Sequence, residues 1–252
     1  LMTFFNLPLN CELYCTPPTV LWGWYTYSSM KEQNLKQQAY EYLKTRILNC
    51  EITPGEYINE KDVLEEVEIG RTPFREAVIM LQAEHLVEVR PRHGTFATKL
   101  TRNDVNEVFN IRKMFEPIAV FHYLNLVDMS KLIENDRLMA KLSNEADVVP
   151  AHVLCETDMA FHSFFIESSG NERLIRLFKP VLQDAYRISM FNNWFTDTGG
   201  RTWKDTYVHH HQILEAILTE NKEEITRAYN VHLNHYLASA LLTIELYEKD
   251  QN

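Results

Sequence analysis

Gly70-Arg71-Thr72-Pro73-Phe74-Arg75-Glu76-Ala77 decides the reading of the N-terminal part of the chain. Pro73 fits the first turn of a helix, where backbone N–H groups have no intrahelical partner. Arg71 and Arg75 are four residues apart and share one face of that helix. Phe74, Ala77, Val78, Leu81 and Leu86 mark its inner side. Working backwards, Gly70 punctuates a short helix carrying Val63 and Leu64, and Thr53-Pro54-Gly55 breaks the chain before it. An earlier helix over 33–49 repeats Ala39, Tyr40, Leu43, Ile47 and Leu48 at helical spacing. Working forwards, Leu86-Val87-Glu88-Val89-Arg90 and Thr95-Phe96-Ala97-Thr98 flank the turn Pro91-Arg92-His93-Gly94, a β-hairpin pattern. Three helices followed by a hairpin make a winged helix-turn-helix. In such a fold the third helix enters the DNA major groove with its N-terminal end. The expected DNA contacts are Arg71, Thr72 and Arg75 on the helix and Arg90, Arg92, His93 and Gly94 at the wing.

Beyond Leu100 the pattern is helical throughout. Asp104 is expected to cap a helix carrying Val105, Val108, Phe109, Ile111, Arg112, Phe115 and Ala119. Further helices are predicted at about 130–146, 151–168, 171–193, 203–219 and 221–249, separated by Pro150, Ser169-Gly170-Asn171, Gly199-Gly200 and Asn221. The fold class is therefore mainly α: a winged helix-turn-helix over 31–100, then an all-α antiparallel helical bundle over 101–252. Residues 1–29 hold two Trp, three Pro and no Lys or Arg, and show no helical period. We read 1–30 as a disordered or extraneous extension, with Met30 as a plausible start.

The net charge is −10 over 252 residues. Residues 31–100 contribute only −2, with 10 basic and 12 acidic side chains, so the acidity lies mostly in the helical part. DNA affinity must then come from a local patch and not from a global field. The four cysteines, Cys11, Cys15, Cys50 and Cys155, have neither zinc-site nor disulfide-framework spacing, which suits a reducing cytoplasmic setting. No run approaches the roughly 18 apolar residues of a membrane span, so no membrane partner is expected.

Four residues of the helical part form a ligand pattern. Asp158 and His162 stand four apart beside Phe161 and Phe165. His232 falls in the stripe Ile225, Tyr229, Tyr236, Ala240, and His235 falls outside it. His210 leads Ile213, Leu214 and Ile217 at the same spacings, with His209 and His211 as competing neighbours. Three imidazoles and a carboxylate facing one bundle core suit a divalent transition metal such as Zn, Ni or Mn. Each histidine taken alone reads better as a hydrogen-bonded core residue; the metal reading rests on all four falling in register.

Residues 35–100 resemble the winged helix-turn-helix of GntR-family regulators. The resemblance rests on Ile52-Thr53-Pro54-Gly55-Glu56, Gly70 to Ala77, and Glu88 to Phe96. Residues 103–250 are similar to the FCD ligand-binding domain of the FadR subfamily. The chain departs from the family pattern at two places: Gly70 stands where Ser is frequent, and the stretch Val67-Glu68-Ile69 stands where Leu-Gly-Val is frequent. The resemblance implies a metal at Asp158, His162, His210 and His232. It also implies a small carboxylate effector gripped by Arg112 in Arg112-Lys113-Met114-Phe115-Glu116, with Arg187 as a weaker second candidate. An ion pair between Arg112 and Glu116 is the competing reading. The whole is expected to be a non-enzymatic regulator, such as a repressor, that binds a palindromic double-stranded operator. It is expected to be a homodimer through the C-terminal domain. A metal-sensing regulator and a metalloenzyme are the alternatives.

Overall fold

A computed structural model describes residues 34–195 and 203–250. The reading of residues 1–30, Cys11 and Cys15 and the Gly199-Gly200 break lie outside the described residues.

Helix α1 (Leu35–Leu48) is capped by Asn34, whose side chain accepts the Lys36 N–H at 3.0 Å. After β1 (Tyr57–Ile58), Asn59 caps α2 (Glu60–Glu66) in the same way. These side chains accept N–H groups that the helix itself leaves unbonded. Glu68 then adopts φ +55° and turns the chain into α3 (Arg71–Ala83), whose N-cap is Gly70. Strands β2 (Val87–Arg90) and β3 (Gly94–Ala97) form the wing. β1 adds to it, giving an antiparallel sheet in the order β1-β3-β2, with Tyr57 opposite Phe96. Gly94 sits at φ +105°, and a Cβ there would lie 2.6 Å from Tyr57 Cε2. Only glycine meets both demands. Ala39, Leu43, Ile47, Phe74, Ala77, Leu81 and Ala97 are buried between α1, α3 and the wing.

The helical part comprises α4 (Arg102–Tyr123), α5 (Met129–Asn144), α6 (Ala151–Ser168), α7 (Glu172–Phe195), α8 (Trp203–Leu218) and α9 (Lys222–Asp250). Thr101, not Asp104, is the N-cap of α4. Asp104 stands at the third helical position and accepts the Thr101 N–H at 2.8 Å, completing a capping box. α4 packs on α9 and α6, α5 on α6 and α8, and α8 on α9. No helix among the described residues is long and apolar enough to cross a membrane.

Side chains of α7 and α9 also hold the winged part. The Tyr186 hydroxyl donates to Asn49 Oδ1 at 2.7 Å, and Tyr247 donates to the Pro54 carbonyl at 3.3 Å. Arg187 donates from Nη1 to Thr98 Oγ1 at 2.8 Å and from Nη2 to the Thr98 carbonyl at 2.5 Å.

Candidate nucleic-acid interface and metal centre

The exposed face of α3 carries Arg71, Thr72 and Arg75 at its N-terminal end. Arg71 reaches Glu60 of α2 at 3.4 Å but keeps most of its side chain in solvent. At the wing, Arg92 and His93 are exposed, and Arg92 has φ +66°. Arg90 is different. It lies over the Phe96 ring at 4.2 Å and pairs with Glu88 at 3.1 Å, so it helps to stiffen the wing. Two arginines on α3 and a basic wing tip are thus exposed on a near-neutral unit.

The second site is buried. Asp158, His162, His210 and His232 come together from α6, α8 and α9, and one ligand atom from each lies within 4.8 Å of all the others. All four are 2 % exposed or less. His162 Nε2 is 3.2 Å from His210 Nε2 and 3.1 Å from His232 Nε2. Asp158 Oδ1 is 3.0 Å from His210 Nε2 and 3.7 Å from His162 Nε2. The Phe161 ring stacks on His210 at 4.4 Å and fixes its plane.

The neighbouring histidines are not members of the group, although the His209 ring lies edge-on to His232 with centroids 6.0 Å apart. His211 Nδ1 meets the Asp136 carboxylate at 3.1 Å, and His209 lies edge-on to His235.

Two residues of α4 border the cluster. Arg112 and Glu116, fully buried, form an ion pair of 2.5 Å from Nε to Oε1. Glu116 Oε2 is 2.7 Å from His162 Nδ1. Burial works against the Glu116 charge, but the Arg112 guanidinium and His162 outweigh it and hold the carboxyl below its ordinary range. Sequence reasoning noticed Glu116 only as a partner for Arg112. Its second partner is 46 residues away in the chain and has no local signal. Arg112 Nη1 and Nη2 are buried and make no hydrogen bond among the described residues. Arg187 does not join this site, because Thr98 takes both of its terminal nitrogens.

Residues 35–97 match the family described as bacterial regulatory proteins, gntR family, and residues 107–235 match the FCD domain. This chain belongs to the GntR family, with an FCD domain. The family is one of transcriptional regulators and not of enzymes. The uncharacterized HTH-type transcriptional regulator YdhC of Bacillus subtilis is 27% identical over 205 residues, covering 79% of this chain and 87% of that protein. The Nta operon transcriptional regulator of Aminobacter aminovorans is 26% identical over 179 residues, covering 70% and 80%. Among solved structures, a GntR transcriptional regulator from Rhodococcus sp. RHA1 has a TM-score of 0.68 at 20% identity over 82% of this chain and 97% of that one. E. coli McbR/YncC has a TM-score of 0.67 at 18% identity over 85% and 99%. These two share the fold.

The residues present fit the metal that an FCD domain implies. Ligand atoms bonded to one cation at about 2.0–2.2 Å sit about 3–3.5 Å from their neighbours; His162 Nε2 lies 3.2 and 3.1 Å from His210 and His232 Nε2, Asp158 Oδ1 lies 3.0 Å from His210 Nε2 and 3.7 Å from His162 Nε2, and all four atoms are within 4.8 Å of one another. Imidazole with carboxylate suits a borderline divalent ion and no alkali metal.

Proposed function

We propose that this GntR-family regulator binds a palindromic operator as a homodimer, and that a small carboxylate acting at a metal-containing site in the FCD domain modulates that binding. The observation that carries this reading is the position of Arg112. Its Nε is committed to Glu116, whereas Nη1 and Nη2 are buried and make no hydrogen bond among the described residues. Leaving charged donors unmet inside a protein is costly. A carboxylate would accept both in a bidentate pair.

Asp158, His162, His210 and His232 would hold the metal. Bound there, it supplies a Lewis-acidic centre that attracts an anionic ligand. The chain's own groups supply the rest. Arg112 orients the carboxylate, Phe109 lies 5.3 Å beneath the guanidinium, and the burial of the site excludes water. Arg71, Thr72 and Arg75 would meet the major groove, and Arg92, His93 and the Gly94 turn would meet the backbone or minor groove. Arg90 would act by shaping the wing.

A homodimer would place two recognition helices on one two-fold operator. The face proposed for the partner copy is on α4, where Met114, Phe115, Ile118 and Phe121 recur at helical spacing and are 45–56 % exposed. Phe115 of this face meets the Phe178 ring of α7 with centroids 6.4 Å apart, and the adjoining Leu177 is 75 % exposed.

The test is operator affinity measured with and without chelator, and with and without a panel of small organic acids. A response to an acid only in the metal-loaded protein supports the reading. A change in affinity on chelation alone would make the metal itself the effector. No response to metal or acid would overturn both.

A further inference from the structure

Glu116 divides its two oxygens between different partners. Oε1 takes the Arg112 Nε at 2.5 Å, and Oε2 faces His162 Nδ1 at 2.7 Å. Both contacts are buried and both are short. A carboxylate held between a guanidinium and a ring nitrogen only accepts hydrogen bonds, so the proton on the His162 ring belongs at Nδ1. A neutral imidazole has one N–H, and its Nε2 is then a lone pair. That nitrogen is the one lying 3.1–3.2 Å from the Nε2 atoms of His232 and His210. Glu116 sits at the opposite edge of the ring and is no member of the ligand set.

We propose that Glu116 is a positioning residue for a divalent cation: it fixes the tautomer and ring plane of His162, and the Arg112 Nε holds it in place. This rests on the metal reading above and adds to it. Arg112 then has two separable tasks, Nε toward the metal side and Nη1 and Nη2 toward the anion side. Its truncation should weaken metal binding even with no carboxylate in solution, although no Arg112 atom belongs to the ligand set. Partners of this kind typically change metal affinity by about 10- to 100-fold when removed.

Two measurements on the full chain test the idea. Zn²⁺ affinity is read by competition with a chromophoric chelator, and the His162 tautomer by long-range ¹H–¹⁵N correlation in metal-free protein. Glu116→Gln keeps the size and an acceptor oxygen. The double variant Arg112→Met with Glu116→Leu removes acceptor and cation together, which avoids stranding a buried charge. In the native chain His162 should be the Nδ1–H tautomer. The double variant should lose that preference and bind Zn²⁺ about 10- to 100-fold more weakly. Glu116→Gln should fall between the two. A merely structural role would lower the melting temperature without this order in tautomer and affinity. A folded double variant with native Zn²⁺ affinity, or a native His162 protonated at Nε2, overturns the proposal while leaving the metal site standing. Failure of the native chain to bind Zn²⁺ at all would instead remove the metal reading, and this inference with it.

Discussion

At the scale of single residues, the proposed DNA face and the candidate metal centre make opposite demands. Arg71 and Arg75 must be exposed and adaptable, and both lie on the solvent side of α3. If they contact bases, Arg71→Ala and Arg75→Ala should each weaken specific operator binding by about 1–3 kcal/mol. The Glu60 pair lies between exposed side chains, so its loss should leave melting nearly unchanged. Operator titration beside a melting curve checks both points, and native affinity in the two variants would refute the docking. The metal ligands must be buried and rigid. His232→Ala should lose the roughly one ion per chain expected after purification without chelator. His211→Ala and His235→Ala should keep it, because His211 is occupied by Asp136 and His235 is exposed beside His209. Elemental analysis of the three proteins decides this. Full occupancy in His232→Ala would sink the site as drawn.

At the scale of elements, the long helices were legible because each carries an apolar stripe and a stop. The expected helix over 151–168 has the bounds of α6, and the hairpin falls within a residue or two of β2 and β3. What escaped has physical reasons. β1 has two residues, too few for any period, and exists only because β3 offers it an edge. The cap at Thr101 was missed because Thr and Asp three apart both suit a helix start, and only the hydrogen bonds say which residue is outside. Asp158, His162, His210 and His232 were readable because every one falls on the apolar face of its helix. Arg187 on α7 was read toward the effector because a buried arginine has the same pattern whichever partner it meets. The turn before α3 bears on stability. Glu68 adopts φ +55°, a left-handed conformation that favours glycine, and a Cβ in that region costs about 1 kcal/mol. Glu68→Gly should therefore raise the melting temperature by about 2–4 °C in a chain of this length, with operator affinity unchanged. A lower melting temperature would mean that Glu68 makes a compensating contact.

At the scale of the whole molecule, the proposed function needs two surfaces to act together: a face to pair two copies and a junction to link effector to operator. Ile118 is 51 % exposed in the monomer, so a charge there costs the single chain little. Ile118→Glu should give a folded monomer by sedimentation and should lower operator affinity. A dimer that persists at micromolar concentration would move the pairing face off α4. The junction is the more demanding case. Thr98 lies between β3 and α4, on the only covalent path from the wing to the helical domain. Its hydroxyl donates to the His85 carbonyl at 2.7 Å, and it accepts from Arg187 of α7. Burial lowers the Arg187 pKa, and the nearby Asp184 and Asp104 carboxylates oppose that shift. α7 packs on both α6, which supplies Asp158 and His162, and α1 of the winged part. A displacement of α6 on ligand binding has a packed route to the wing through this helix. Coupling between two sites is commonly worth about 1–3 kcal/mol, or about 5- to 150-fold in affinity. Arg187→Ala should reduce that ratio toward one for whichever acid alters operator binding in the native chain. Zn²⁺ affinity should be native, because Arg187 touches none of the ligands. The lost charged hydrogen bonds should also cost about 2–3 kcal/mol of stability. Operator titrations of both proteins with and without the acid measure the ratio, and a full native response in Arg187→Ala would place the coupling on another path.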